Sequence, residues 1–264
     1  MTMTEEYSPS TETPVPGIFD SYFRATRTAT WGFLMALPLL LLYEAGIVWV
    51  NHGTVGEIRI TADIWLKDLI PSFGQAHELI LLGVVMVVGV LIVAIERKKK
   101  VAFHSKYPGF IILESAFYAI LLAVIVSGFT QWLMSPMMSV QEAGHESDLV
   151  MQLVLSLGAG LYEELFFRVI LVGGLAFLLR LAFPKAKVLM YILAAVIGAI
   201  TFSAIHHFGN MGDPWELSVF VYRAIFGLVF NVVFLVRGFA VVAWAHAIYD
   251  VMVVTGFLSM LQGT

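Results

Sequence analysis

The chain contains no cysteine. That excludes disulfides, thiol catalysis, iron–sulfur clusters and zinc held by thiolates. Charge is scarce as well: 13% of the 264 residues are Asp, Glu, Lys or Arg, and the net charge is -4. A chain with so little positive charge carries no nucleic-acid footprint. What is abundant is apolar, at 59% hydrophobic residues and a mean hydropathy of +0.88. This is the composition of an integral membrane protein rather than of a soluble domain. The first apolar run starts near Trp31. It lacks the short apolar region and small-residue cleavage site of a signal peptide, so it reads as an anchor.

Residues 1–20, rich in Ser, Thr, Glu and Pro, are expected to be a disordered tail. Residues 21–264 read as a single transmembrane domain, an all-α polytopic helix bundle. About seven spans are predicted, at 31–50, 78–95, 109–134, 149–180, 188–208, 217–236 and 239–259. Each reaches or approaches the ~20 residues that cross a hydrocarbon core. The fourth is too long for one straight crossing and should tilt, kink or split near Gly158/Gly160 or Gly173/Gly174, which would make eight spans. Between spans one and two, ADIWLKDLIPSF (62–73) is mildly amphipathic and suits an interface.

The positive-inside rule gives an orientation. With the N-terminus cytoplasmic, the inner face receives Arg24, Arg27, Arg97, Lys98, Lys99, Lys100, Lys106, Arg180, Lys185, Lys187 and Arg237. The outer loops receive Arg59 and Lys67 and the acidic connector 141–148, while Arg168 and Arg223 fall inside spans. The predicted orientation is N-in, C-out.

Against this background the ionisable residues inside the spans stand out. They are Glu163, Glu164 and Arg168 in GLYEELFFRVILVGG, His206 in FSAIHH, and His246 and Asp250 in AWAHAIYDVMVV. A charge at mid-bilayer costs roughly +2.5 to +3.5 kcal/mol on the insertion scale. Glu164 and Arg168, four apart on one helix, can neutralise each other, whereas Glu163 points about 100° away and suits a base acting on water. His246 and Asp250 are also four apart, so the carboxylate can orient the imidazole. The plainer reading makes each of these a packing contact, but acids and imidazoles together on separate spans favour chemistry. Glu44 in LLLLYEAGIVW could line the same cavity, Glu114 could snorkel to the inner surface, and Arg223 could pair with Asp213 or Glu216.

The three segments resemble, in order, the motifs of the CPBP family. That family takes in type II CAAX prenyl endopeptidases and the bacteriocin-processing or immunity proteins of the Abi group. Its patterns EExxxR, FxxxH and HxxxN or HxxxD read here as Glu163-Glu164…Arg168, Phe202…His206 and His246…Asp250, so 150–255 is the expected catalytic core. The resemblance implies intramembrane peptide hydrolysis in a bacterial or archaeal cell membrane, on a membrane-bound peptide or protein. A CAAX-like tail, a bacteriocin or signalling-peptide leader, or a sorting tail are the candidate substrates. By the resemblance Glu163 activates water, Glu164 and Arg168 support it, and His206 and His246 stabilise the oxyanion or ligate a metal. Asp250 stands where the type II CAAX endopeptidases have Asn. An ionised Asp cannot donate to an oxyanion, so orientation of His246 suits it better.

A metal-independent glutamate mechanism is preferred. The alternative is a zinc site of His206, His246 and Glu163 with water in the fourth position, which would take Glu163 away from the role of base. Other classes of function are a proton-coupled transporter, a haem protein with two axial histidines, and a catalytically silent immunity or scaffold protein. One depth count strains the reading. At ~1.5 Å per residue, Glu163 lies roughly 25 Å from Arg180 and His206 roughly 28 Å from Lys187, but His246 only roughly 13 Å from Arg237. Convergence requires a bent fourth span, or a turn at Arg237-Gly238 that stops short of the inner surface.

Overall fold

The computed structural model describes residues 18–52, 58–69, 77–99, 101–134, 148–208 and 212–258. Most of the expected N-terminal tail and most of the acidic connector lie outside the described residues. Ile18–Asp20, placed in that tail from the sequence, instead open a helix.

Among the described residues the chain is all-helical, with no strand. The helices are α1 (Ile18–Thr26), α2 (Ala29–Val50), α3 (Thr61–Asp68), α4 (His77–Glu96) and α5 (Tyr107–Met134). A long helix begins as α6 (Leu149–Gly158) and ends as α7 (Gly174–Ala182); then follow α8 (Lys187–Ile205), α9 (Leu217–Arg237) and α10 (Phe239–Val254). Among the described residues five helical stretches are long and apolar enough to cross a membrane: Ala29–Val50, Tyr107–Val126, Leu149–Ala182, Pro184–Ile205 and Leu217–Arg237. The other two expected spans correspond to the shorter apolar helices Gly83–Glu96 and Phe239–Val254.

The fourth expected span does not split. Between α6 and α7 it winds as π-helix over Ala159–Glu163 and Leu165–Gly173, so the acidic motif sits in the widened stretch. π-Turns inside α-helices are uncommon and cluster at functional sites, because the extra residue per turn re-aims side chains.

α10 is the centre of the bundle. It packs against α2, α5, α6, α9 and the π-helical stretch. Ala240, Val241, Val242, Ala243, Ala245, His246, Ala247, Tyr249 and Met252 are all buried. A helix apolar on every side belongs in an interior, and the short side chains admit close neighbours where lipid supplies little drive for helices to associate. Gly160 is the closest approach. A Cβ there would lie 2.5 Å from the Ala243 carbonyl oxygen and 2.6 Å from the Ala247 methyl. The structure thus uses Gly160 for contact with α10 rather than as a hinge.

The α9–α10 turn packs against the segment that follows α1. Gly238 makes it with φ +82, and an added Cβ would meet the Arg27 backbone at 3.1 Å. Arg237 is 2% exposed and is held by Glu114 on α5, with its Nη2 3.0 Å from Thr26 Oγ1 on α1. Arg237 thus ties the turn to α1 and α5, and α10 is buried from Ala240 onward on its inner face. Glu114, expected to snorkel, is instead bound by Arg237 and by the Tyr22 hydroxyl at 2.6 Å.

Candidate active site

The π-helical stretch, the end of α8 and the middle of α10 bring the sequence-predicted residues together. Glu164 is fully buried, and each of its oxygens faces a nitrogen. Oε2 lies 3.0 Å from Arg168 Nε, and Oε1 lies 2.7 Å from His246 Nδ1. The expected Glu164–Arg168 pair therefore forms. The orienting partner of His246 differs from expectation, because Glu164 on another helix makes the short bond. Asp250 faces the other ring nitrogen, with Oδ2 3.5 Å from Nε2. Sequence spacing could show the i,i+4 neighbour but not a contact between α10 and the acidic motif.

Glu163 points elsewhere, as its offset along the helix requires. Its Oε2 lies 3.7 Å from His206 Nε2, beyond a direct hydrogen bond. His206 follows the last residue of α8 as its C-cap, and its Nδ1 lies 2.7 Å from the Phe202 carbonyl oxygen. A carbonyl only accepts, so Nδ1 carries a proton, and Nε2 is the nitrogen turned towards Glu163. Glu163 and His206 keep 14% and 21% of their side chains exposed, whereas Glu164, Arg168 and His246 keep 4% or less. The group thus has a wet edge, Glu163 and His206, and a dry interior, Glu164, Arg168 and His246.

Aromatic rings line the dry part. The Arg168 guanidinium carbon lies 4.8 Å from the centre of the Phe202 ring and 5.7 Å from that of Phe230. Among the described residues neither Arg168 Nε nor Nη2 has an aligned hydrogen-bond acceptor, so the contact with Glu164 is an ion pair by distance and the ring faces take the place of polar partners. Phe226 and Phe230 flank the His246 ring at 5.4 and 5.2 Å. Phe202 belongs to the FxxxH pattern. Phe226 and Phe230 were missed, and their i,i+4 spacing on α9 was the available signal.

Glu44 does not join this group. It accepts from Lys67 Nζ at 2.8 Å, from Arg59 Nη1 at 3.1 Å and from the Tyr162 hydroxyl at 3.0 Å. Those bonds tie α2, α3 and the π-helical stretch together, and Trp65 of α3 rests on Phe166 at 5.2 Å. Arg223 pairs with Asp213, one of its two expected partners.

No set of three or more His, Asp or Glu side chains among the described residues is arranged to hold a metal ion. His246 turns both nitrogens to carboxylates, so as placed it does not fit the three-ligand zinc set.

The geometry can be set beside known proteins. Residues 145–252 match the protein-family model described as type II CAAX prenyl endopeptidase Rce1-like. This stretch is similar to that family. The Rce1-like match spans the EExxxR, FxxxH and HxxxD segments and is consistent with a CPBP family intramembrane protease. It supports, in general terms, a CAAX-type protease of the membrane. No curated protein and no solved structure matches the chain.

Proposed function

We propose that this protein is an intramembrane endopeptidase that hydrolyses a peptide bond of a membrane-associated substrate with water activated by Glu163. The observation that carries the reading is the facing of Glu163 Oε2 and His206 Nε2 at 3.7 Å across two helices. One water bridges such a separation. It would donate one O–H to Glu163 and the other to Nε2 of His206, leaving a lone pair for the scissile carbonyl carbon. Glu163 takes the water proton as the C–O bond forms and returns it to the departing amine nitrogen as the C–N bond breaks. A positioned base of this kind contributes ~10²–10⁴-fold to rate.

The dry interior supports this step electrostatically. Around it, Glu163 and Glu164 stand near the Arg168 guanidinium and Asp250 near that of Arg223, and a second proton on His246 brings the charge nearer to balance. Such a ring donates Nδ1–H to Glu164 and keeps Nε2–H for Asp250 or for the oxyanion. The 3.5 Å contact with Asp250 is loose enough to be exchanged. A glutamate mechanism suits this donor arrangement better than a zinc one. The substrate class we favour is a CAAX-like C-terminal tail presented at the bilayer, with the N-terminus of the enzyme cytoplasmic.

The test is hydrolysis of prenylated and unprenylated tail peptides, and of leader peptides, by full-length protein in liposomes. Glu163→Gln should lose ~10²-fold or more in kcat while remaining folded. Undiminished cleavage by Glu163→Gln would remove the base. Loss of activity on exhaustive chelation, restored by zinc, would replace the glutamate mechanism with a metal one.

A further inference from the structure

The proposed chemistry leaves one ion pair near the wet edge unused. Arg223 of α9 binds Asp213, and both side chains are about one-third exposed, at 30% and 34%. Asp213 has a second attachment. Its backbone N–H donates to the His206 carbonyl oxygen at 2.9 Å. That oxygen belongs to the end of α8, where carbonyls lack partners within the helix, so Asp213 caps the helix that ends at the candidate catalytic histidine. Neighbouring contacts hold the same corner. The His207 ring lies with Nδ1 3.3 and 3.2 Å from the carbonyl oxygens of Asp213 and Pro214, and it packs on Trp215 at 5.0 Å. Ser203 Oγ donates to the Phe220 carbonyl at 2.6 Å, joining the last turn of α8 to α9. Arg223 is also within electrostatic range of both His206 and Asp250.

We propose that the Arg223–Asp213 pair is a clasp that sets the position of His206 opposite Glu163, which makes Arg223 and Asp213 positioning residues of the site. The chain of contact is short: guanidinium to carboxylate, the same residue's N–H to the His206 carbonyl, and from there to the ring. A partly exposed pair contributes little to global stability. Its effect belongs in the placement of the ring, where a displacement of ~1 Å can cost ~10²-fold in rate. The proposal rests on the protease reading for its kinetic consequences, but not for its structural one.

The test uses the full-length protein with Arg223→Gln, Asp213→Asn, and the exchanged pair Arg223→Asp with Asp213→Arg. Each single variant should lower kcat by roughly ten-fold or more, with KM within about two-fold and melting temperature nearly unchanged. The exchanged pair should recover most of the loss. Independently of hydrolysis, acylation of His206 by diethyl pyrocarbonate, followed by mass spectrometry, should accelerate in both single variants and return towards wild type in the exchanged pair. An unchanged acylation rate overturns the clasp, and so does unchanged kcat in an active enzyme. A change confined to KM overturns it in favour of direct substrate contact by Arg223. If the wild type proves inactive on every peptide, the protease reading fails, while the acylation comparison still decides the clasp.

Discussion

The sharpest quantitative consequence of the site concerns its driest pair. Glu164 and Arg168 are 0% and 1% exposed and 3.0 Å apart. With an effective dielectric constant of ~20, two unit charges at that distance attract by about 5 kcal/mol. Measured losses on breaking buried pairs, about 3–5 kcal/mol, agree with this. Arg168→Met, which removes the guanidinium and keeps an unbranched stem, leaves Glu164 charged and buried with only His246 to compensate. Glu164→Gln keeps an amide oxygen for His246 Nδ1–H but leaves Arg168 among phenyl rings. The double variant carries neither uncompensated charge. Thermal unfolding in detergent should therefore place Arg168→Met roughly 10 °C below wild type, taking about 2–4 °C per kcal/mol for a chain of this size. The double variant should lie well above Arg168→Met, with a coupling of about 3 kcal/mol. Additive losses, with the double variant melting below both singles, would refute the pairing on which the dry interior is built.

Three further outcomes follow from single contacts. Gly160→Ala puts a methyl 2.5 Å from the Ala243 carbonyl oxygen; separating α10 from the π-helical stretch should cost about 1–3 kcal/mol in melting experiments and lower kcat with it. Gly238→Ala forces a side chain into φ +82 against the Arg27 backbone, so a loss of at least ~1–2 kcal/mol is expected, read by the same melts, with α1 more open to proteolysis. Asp250→Asn should keep kcat within about ten-fold, because an amide accepts as well as donates and Glu164 already orients His246. A loss beyond ~10²-fold would mean that Asp250 itself transfers a proton.

What could be read from the sequence followed from local spacing, and what could not depended on contacts between helices. Glu164 and Arg168 are one turn apart, and so are Phe202 and His206, so their relation is contained in the helix repeat. The energetic anomaly of charge within apolar runs marked the same residues without any knowledge of packing. The bond from Glu164 to His246 joins α10 to a distant helix, and no periodicity reports it. Gly160 shows the limit in another way: a glycine in a long helix suggests a bend, but whether it bends or admits a neighbour depends on what packs there. The fate of Glu44 was equally non-local, since Arg59 before α3, Lys67 on α3 and Tyr162 of the π-helical stretch converge on it.

The depth of His246 shows why site and core are inseparable here. A helix that crossed the whole bilayer before reaching His246 would set it at a level different from Glu163 and His206. The turn at Gly238 starts α10 against the Arg27 backbone and beside the Arg237–Glu114 pair. That arrangement needs small residues along α10, because Ser115 of α5 donates to the Val241 carbonyl at 3.1 Å and Gly160 closes on Ala243 from the opposite side. Each of these contacts fixes α10 in height and rotation, and hence fixes His246 against Glu164. A substitution of Ala243 or Ala247 by a larger residue should therefore reduce activity and stability together. Substitutions at the Arg223–Asp213 clasp should separate the two, because the clasp holds an exposed corner that the core does not need.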